Sequence, residues 1–84
     1  MIKLSDYLAE FLGNSDQVAH DVFLVSGGGL MHLLDSVGRC EKLRYICNHH
    51  EQACSIAAEG FARVSNKIGV TFVTTGPGGT NAIT

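Results

Sequence analysis

The sequence predicts an α/β fold in which the strands of a parallel sheet are joined by helical crossovers. Short apolar segments rich in β-forming residues alternate with longer segments whose apolar residues recur at helical spacing, in the order α-β-α-β-α-β. Each short apolar segment is followed by a glycine-rich or polar loop. In sheets of this kind ligands bind at the carboxyl ends of the strands, so we expect any site in these loops.

The first half of the chain contains two predicted helices and one predicted strand. The first helix is predicted by four apolar residues at helical spacing, Leu4, Leu8, Phe11 and Leu12, and Gly13-Asn14 suits its end. Residues 22–25 are apolar and rich in β-formers, which indicates a strand buried on both faces. The second helix ends near Gly38 and is predicted by Leu30, Leu33, Leu34 and Val37.

A second strand and a third helix follow. Residues 43–47 are predicted to form the strand, and the helix is predicted to run from Asn48 to about Ser65-Asn66. Small residues at its inner positions would allow close packing: Ala53, Ala57, Ala58, Gly60 and Ala62. Glu59 and Arg63 are spaced as an i,i+4 ion pair on the outer side.

The last predicted strand covers residues 68–75 and leads into the sequence GPGGTN at residues 76–81, which should begin a fourth helix. A parallel sheet of three strands leaves an edge and apolar faces uncovered. We therefore expect residues 1–84 to be an incomplete part of a larger domain.

Composition excludes several classes of function. The chain has 84 residues, of which 45% are hydrophobic, and a net charge of −2, so we expect no nucleic-acid or membrane partner. Asp6 and Glu10 interrupt the N-terminal apolar pattern, which argues against a signal peptide and favours a cytoplasmic protein. In a reducing cytosol we expect Cys40, Cys47 and Cys54 to be free and mostly buried.

The two glycine-rich loops leave more than one interpretation open. GPGGTN follows a strand and could hold a phosphate group, but no Lys-Ser/Thr follows its last glycine, as a P-loop requires. Residues 26–29 do not start a G-x-G-x-x-G motif, because His32 occupies the last glycine position. Taken alone, each loop is more often a tight turn than a ligand site.

Glu51 also has two interpretations from spacing alone. Residues 50–54 are similar to a zinc-binding H-E-x-x-H helix with cysteine in the last place, but further ligands at a recognised spacing are missing, so we expect no metal site. Asn48-x-x-Glu51 has the spacing of a capping box, with Glu51 at the third helical position. On spacing alone, a helix cap is favoured over catalysis.

Three motifs in succession instead favour a catalytic role for Glu51. They are HHEQAC at residues 49–54, AEGFAR at residues 58–63 and TTGPGGTN at residues 74–81. This combination resembles the N-terminal, pyrimidine-binding domain of the acetolactate synthase-like thiamine-diphosphate enzymes. The segment VFLVSGGG resembles the first strand and glycine turn of that family, although Ser26-Gly27 stands where many members have Pro-Gly. The resemblance covers nearly the whole chain.

The resemblance implies roles for specific residues. Glu51 would be the catalytic carboxyl group, which hydrogen-bonds N1′ of the cofactor's aminopyrimidine ring and exchanges a proton with it. The cofactor-binding residues would be Glu51, Gly76, Pro77, Gly78, Gly28 and Gly29. Gln52 and His32 would lie near the substrate.

The resemblance also implies a larger enzyme. This chain would be one segment of a 2-oxo acid decarboxylase or carboligase that assembles as a homo-oligomer. Thiamine diphosphate would be held with Mg²⁺ by a diphosphate-binding domain of another subunit, and a requirement for FAD stays open. We therefore expect the chain alone to be inactive. Two other interpretations remain: a small α/β module that binds a phosphorylated ligand, and an inactive truncated fragment.

Overall fold

The structure, a computed structural model, describes residues 3–84. Four helices and three strands follow one another along the chain, and a short 3₁₀ turn at Gly28–Leu30 precedes the second helix. Their bounds are α1 (Leu4–Asn14), β1 (Val18–Leu24), α2 (Met31–Arg39), β2 (Arg44–Cys47), α3 (Glu51–Ser65), β3 (Ile68–Phe72) and α4 (Pro77–Ile83). The predicted order of elements and the predicted fourth helix are confirmed.

The three strands form one parallel sheet with the order β2-β1-β3. This confirms the predicted fold class. The central strand β1 is buried along nearly its whole length, as its apolar sequence predicted. It begins at Val18, four residues before the predicted start at Val22. The prediction missed these four residues because His20 and Asp21 interrupt the apolar pattern. Asp21 is tolerated there because its carboxylate accepts a 2.6 Å hydrogen bond from Nε of Arg44 on the neighbouring strand.

One face of the sheet is covered by α1 and α2. Its core consists of Ala9, Val22, Leu24, Val37 and Leu43. The inner side of α1 carries small residues, namely Ser5, Ala9 and Gly13. Helical spacing therefore predicted α1 correctly but did not identify its buried side, since Leu4 is 83% exposed and Phe11 is 58% exposed.

The other face is covered by α3. Its smaller core consists of Phe23, Cys54 and Ala58, and the rings of Phe23 and Phe61 meet edge to face at 6.0 Å. The helix comes so close to β3 that a Cβ on Gly69 would lie 2.5 Å from the carbonyl oxygen of Ala58. The prediction of close packing is confirmed, but two of the small residues assigned to the inner side, Ala53 and Gly60, are exposed.

Several boundaries and details differ from prediction. The helix α3 begins at Glu51 rather than Asn48, and β3 ends at Phe72 rather than Thr75. Cys54 is buried, whereas Cys40 is partly exposed and Cys47 is exposed, so the expectation of mostly buried thiols is wrong for Cys47. The predicted i,i+4 ion pair is present, with Glu59 and Arg63 2.7 Å apart. No helix in the described range is long and apolar enough to span a bilayer.

Candidate functional site

Three loops meet at the carboxyl edge of the sheet, one after each strand. The backbone N–H of Asn48, just after β2, donates to the carbonyl oxygen of Leu24 at 2.9 Å. The N–H of Val25, just after β1, donates to the carbonyl oxygen of Phe72 at 3.3 Å. These hydrogen bonds connect the carboxyl ends of the three strands to one another. The expectation that the loops share one edge of the sheet is therefore confirmed.

The loop between β2 and α3 fixes where the third helix begins. His50 is the N-cap, and its Nδ1 accepts a 3.0 Å hydrogen bond from the N–H of Gln52. Asn48 instead uses its side-chain oxygen to accept a 3.4 Å hydrogen bond from the Cys54 thiol. The capping-box interpretation is therefore wrong, because Glu51 is the first residue of α3 and not the third.

Glu51 is partly buried, and its two carboxylate oxygens have different surroundings. Oε1 accepts a hydrogen bond of 3.3 Å from Nδ2 of Asn81 on α4. Oε2 lies 3.6 Å from the place where a Cβ on Gly78 would stand. The side chain therefore faces the glycine-proline turn and does not extend freely into water.

At each of the three positions at the start of α4, the structure explains why that residue type is suitable. Gly76 has φ of 71°, a conformation that L side chains rarely adopt. Pro77 occupies the first turn of the helix, where its missing N–H has no cost. Gly78 is buried, and a Cβ there would lie 2.9 Å from Cγ2 of Thr74. A Cβ at Gly78 would thus collide with Thr74 and would be in van der Waals contact with Oε2 of Glu51.

The glycine turn after β1 packs against Thr74 in the neighbouring loop. A Cβ on Gly27 would lie 2.5 Å from Cβ of Thr74, which leaves room only for glycine. The N–H of Gly29 donates to Oγ1 of Thr74 at 3.2 Å. Gly28 is exposed, with open space where a Cβ would stand. Thr74 therefore contacts both glycine-rich turns.

The two residues predicted to lie near a substrate have other neighbours in the structure. His32 is exposed and lines an apolar groove between α1 and α2, together with Tyr7, Leu8 and Leu33. Gln52 is exposed on α3 and lines a small pocket with Ile56 and the C-terminal residues of α4. The structure thus joins Glu51 to the turn at residues 76–78, whereas His32 belongs to a different surface.

Sequence reasoning did not identify the contacts of Asn81, Thr74 and Cys54. Asn81 was part of a recognised motif, but its contact with Glu51 depends on how α4 packs on α3. Cys54 lies one turn after Glu51, and burial raises the pKa of its thiol, an effect that the nearby Glu51 carboxylate reinforces. Within residues 3–84 there is no group of three His, Cys, Asp or Glu residues arranged to hold a metal ion.

Comparison with known proteins gives a consistent result. Residues 2–84 match the family model described as "Thiamine pyrophosphate enzyme, N-terminal TPP binding domain". The acetolactate synthase large subunit of Lactococcus lactis is 43% identical over 63 residues, which are 75% of this chain and 11% of that protein. The mitochondrial acetolactate synthase catalytic subunit of Saccharomyces cerevisiae is 40% identical over 70 residues, 83% of this chain and 10% of that protein.

A third relative extends the match along the chain. The mitochondrial acetolactate synthase of Schizosaccharomyces pombe is 36% identical over 88 aligned positions, which cover 93% of this chain and 13% of that protein. The chain thus spans only about a tenth of the length of these curated relatives. The resemblance found in the motifs is confirmed, and the chain belongs to the thiamine pyrophosphate enzyme family, whose N-terminal TPP binding domain it matches.

Proposed function

We propose that residues 1–84 are the N-terminal part of the pyrimidine-binding domain of an acetolactate synthase-type enzyme, and that Glu51 is the carboxyl group that contacts the cofactor. The observation that carries this proposal is the position of Glu51. Its carboxylate lies at the carboxyl edge of a parallel sheet, beside a buried glycine in the turn after β3. This is where ligands bind in such folds.

The residues at this edge are suited to the aminopyrimidine ring of thiamine diphosphate. A ring with a basic nitrogen needs a carboxyl group that can share a proton with it, and Glu51 provides one. Because Gly76 and Gly78 have no side chains, a flat ring can approach the backbone there, and the space beside Oε2 of Glu51 stays open. When bound, the cofactor supplies an electron sink for the loss of carbon dioxide from a 2-oxo acid.

Within this proposal the chain itself has three tasks. The turn at residues 76–78 binds the ring. Glu51 holds a proton that it exchanges with N1′ of the ring, and the His50 cap fixes the first turn of the helix that carries this carboxylate. Gly29 and Thr74 keep the neighbouring turn in place through their 3.2 Å hydrogen bond. The roles of Gly28, Gln52 and His32 depend on parts of the enzyme outside this chain.

The remainder of the active site would come from elsewhere. We propose that a diphosphate-binding domain of another subunit holds the diphosphate and Mg²⁺, so that the site forms only in a homo-oligomer of the longer protein. The small share of each relative that this chain covers, about a tenth, supports a longer protein with further domains. A 2-oxo acid would be the substrate, and an FAD requirement would be decided by other domains of the longer protein.

A chimeric enzyme tests the role of Glu51. Residues 2–84 would replace the matching segment of the Lactococcus lactis large subunit, and conversion of pyruvate to acetolactate would be measured. Because proton transfer by a positioned side chain contributes about 10²–10⁴-fold to a rate, we expect Glu51→Gln to lower kcat by at least about 100-fold. Glu59→Gln is the matched control, since this glutamate lies exposed on the outer side of the same helix. Activity near the parental level in Glu51→Gln would remove the catalytic assignment.

The isolated chain provides a second test. We expect the 84 residues alone to show no decarboxylation of pyruvate and negligible affinity for thiamine diphosphate. Calorimetry with thiamine diphosphate and with nucleotides, both with Mg²⁺, distinguishes this proposal from a phosphate-binding module. Tight binding of a nucleotide would support the module, and turnover of pyruvate would contradict the requirement for a second domain.

A further inference from the structure

Two hydrogen bonds join α3 to α4, and one of them ends on Glu51. Oγ of Ser55 donates to the carbonyl oxygen of Ala82 at 2.7 Å, and Nδ2 of Asn81 donates to Oε1 of Glu51 at 3.3 Å. Glu51 and Ser55 are one turn apart on α3, and Asn81 and Ala82 are neighbours on α4. The helix that begins at the glycine-proline turn is thus attached to the helix that carries the carboxylate.

The bond from Asn81 makes the two oxygens of Glu51 unequal. The terminal torsion of a glutamate side chain is broad and roughly two-fold, so a carboxylate without a fixed partner exchanges its oxygens freely. Here Oε1 is held by the amide, while Oε2 points toward Gly78. A single orientation of the carboxyl group is therefore favoured before any ligand arrives.

The chemical type of the partner matters as much as its position. A lysine or arginine at the same distance would favour the charged carboxylate and oppose its protonation. The Asn81 side chain is neutral and carries both a donor and an acceptor, so it can bond to Glu51 in either protonation state. An amide partner restrains the orientation of the carboxyl group without fixing its charge.

We infer that Asn81 is a positioning residue, which holds Oε1 of Glu51 so that Oε2 is presented to the turn at residues 76–78. Its consequence for catalysis rests on the proposed function of Glu51, whereas the contact itself does not. The bond from Ser55 to Ala82 is a second link between the two helices, and it does not involve Glu51.

Nuclear magnetic resonance of the 84-residue chain tests the contact without any cofactor. In the wild-type chain we expect the side-chain N–H signals of Asn81 to move as Glu51 is titrated, and to stop moving in Glu51→Gln. The side-chain amide of Asn66 is an internal control, because this residue caps the opposite end of α3, far from Glu51. Asn81 signals that are indifferent to the titration of Glu51 would overturn the inference.

The chimeric enzyme described above tests the consequence. Asn81→Leu removes the donor but keeps the branched arrangement of side-chain heavy atoms, and we expect a loss of about tenfold in kcat with saturating cofactor, since a hydrogen bond to a charged group is lost. Asn81→Asp should lose more, because a second carboxylate is placed beside Glu51. Ser55→Ala is the control, since it removes the other hydrogen bond between the same two helices but leaves the Asn81 amide and the Glu51 carboxylate unchanged, and we expect its kcat to stay within about twofold.

The outcomes distinguish the positioning role of Asn81 from the proposed function of Glu51. If Asn81→Leu loses no more activity than Ser55→Ala, the positioning role is wrong, even where Glu51→Gln is inactive. If Glu51→Gln is fully active while the Asn81 signals still follow Glu51, the proposed function fails and the contact stands. Should the isolated chain give no resolved side-chain signals, the comparison of Asn81→Leu with Ser55→Ala decides alone.

Discussion

The two faces of the sheet are built in different ways. On the face covered by α1 and α2, aliphatic side chains such as Val22 and Leu24 form the larger core, and polar contacts join the two helices, since Ser36 and Arg39 on α2 both donate to Asp6 on α1. On the face covered by α3, the core is small and the polar contacts lie between and beneath the helices. The first face therefore contains the larger apolar core, whereas the second carries the candidate site.

The proposed function accounts for this difference. A core of aliphatic residues needs only volume and tight packing. A carboxylate that is to act on a ligand must be partly buried, held by specific partners and approached closely by backbone. The second face meets these needs with small residues, since Ala58 lies against Gly69 and Glu51 lies beside Gly78. Its apolar core is correspondingly smaller than that of the first face.

The largest effect on stability should come from the first face. Leu24 is 4% exposed, so Leu24→Ala should lower the free energy of unfolding by about 2–5 kcal/mol. Leu4 is 83% exposed, and Leu4→Ala should change it by no more than about 0.5 kcal/mol. Urea unfolding followed by circular dichroism measures both. Equal losses in the two variants would break the comparison between the faces.

An intermediate effect is expected where α3 meets β3. Gly69→Ala would place a Cβ 2.5 Å from the Ala58 carbonyl oxygen, so the backbone must move, at a cost of about 1–3 kcal/mol. Gly60→Ala, in the same helix layer, meets open space and should stabilise the chain by about 0.5–1 kcal/mol. Thermal unfolding of the two variants compares them directly. If both variants gain stability, the second face is less tightly packed than described.

The smallest effect concerns the margin of the first face. The hydrogen bond from Ser36 lowers the pKa of Asp6, and Arg39 adds to this shift. A lowered pKa means that the contact stabilises the fold above the usual value for aspartate, about 3.9, and that this contribution is lost as the pH falls through the lowered value. Wild-type stability should therefore fall more steeply below about pH 4 than that of Asp6→Asn. Parallel pH curves from urea unfolding would contradict this.

Much of the fold could be predicted because its signals are local. The run at residues 22–25 indicated a strand buried on both faces, and glycines marked the turns that follow β1 and β3. The buried side of α1 could not be predicted, since Ser5 and Gly13 are favoured there by the close approach of the helix to its neighbours. The polar start of β1 was missed because Asp21 finds its partner, Arg44, on another strand.

In the candidate site, too, local features could be predicted from the sequence and long-range contacts could not. The motifs predicted which loops come together, and the family resemblance drew attention to Glu51. The capping box was a reasonable local alternative, but local spacing does not reveal that His50 takes the cap position. Asn81 could not be assigned from sequence, because its contact joins residues that are 30 positions apart.

The outer strand β2 has a practical consequence for work on the isolated segment. All four of its residues are exposed, and one edge of its backbone faces away from β1. Between Arg44 and Asn48 lie three uncharged residues, Tyr45, Ile46 and Cys47. An open edge with little charge invites other chains to add strands to it. Purification at low protein concentration under reducing conditions, or an Ile46→Lys exchange on this edge, would limit aggregation and thiol cross-linking.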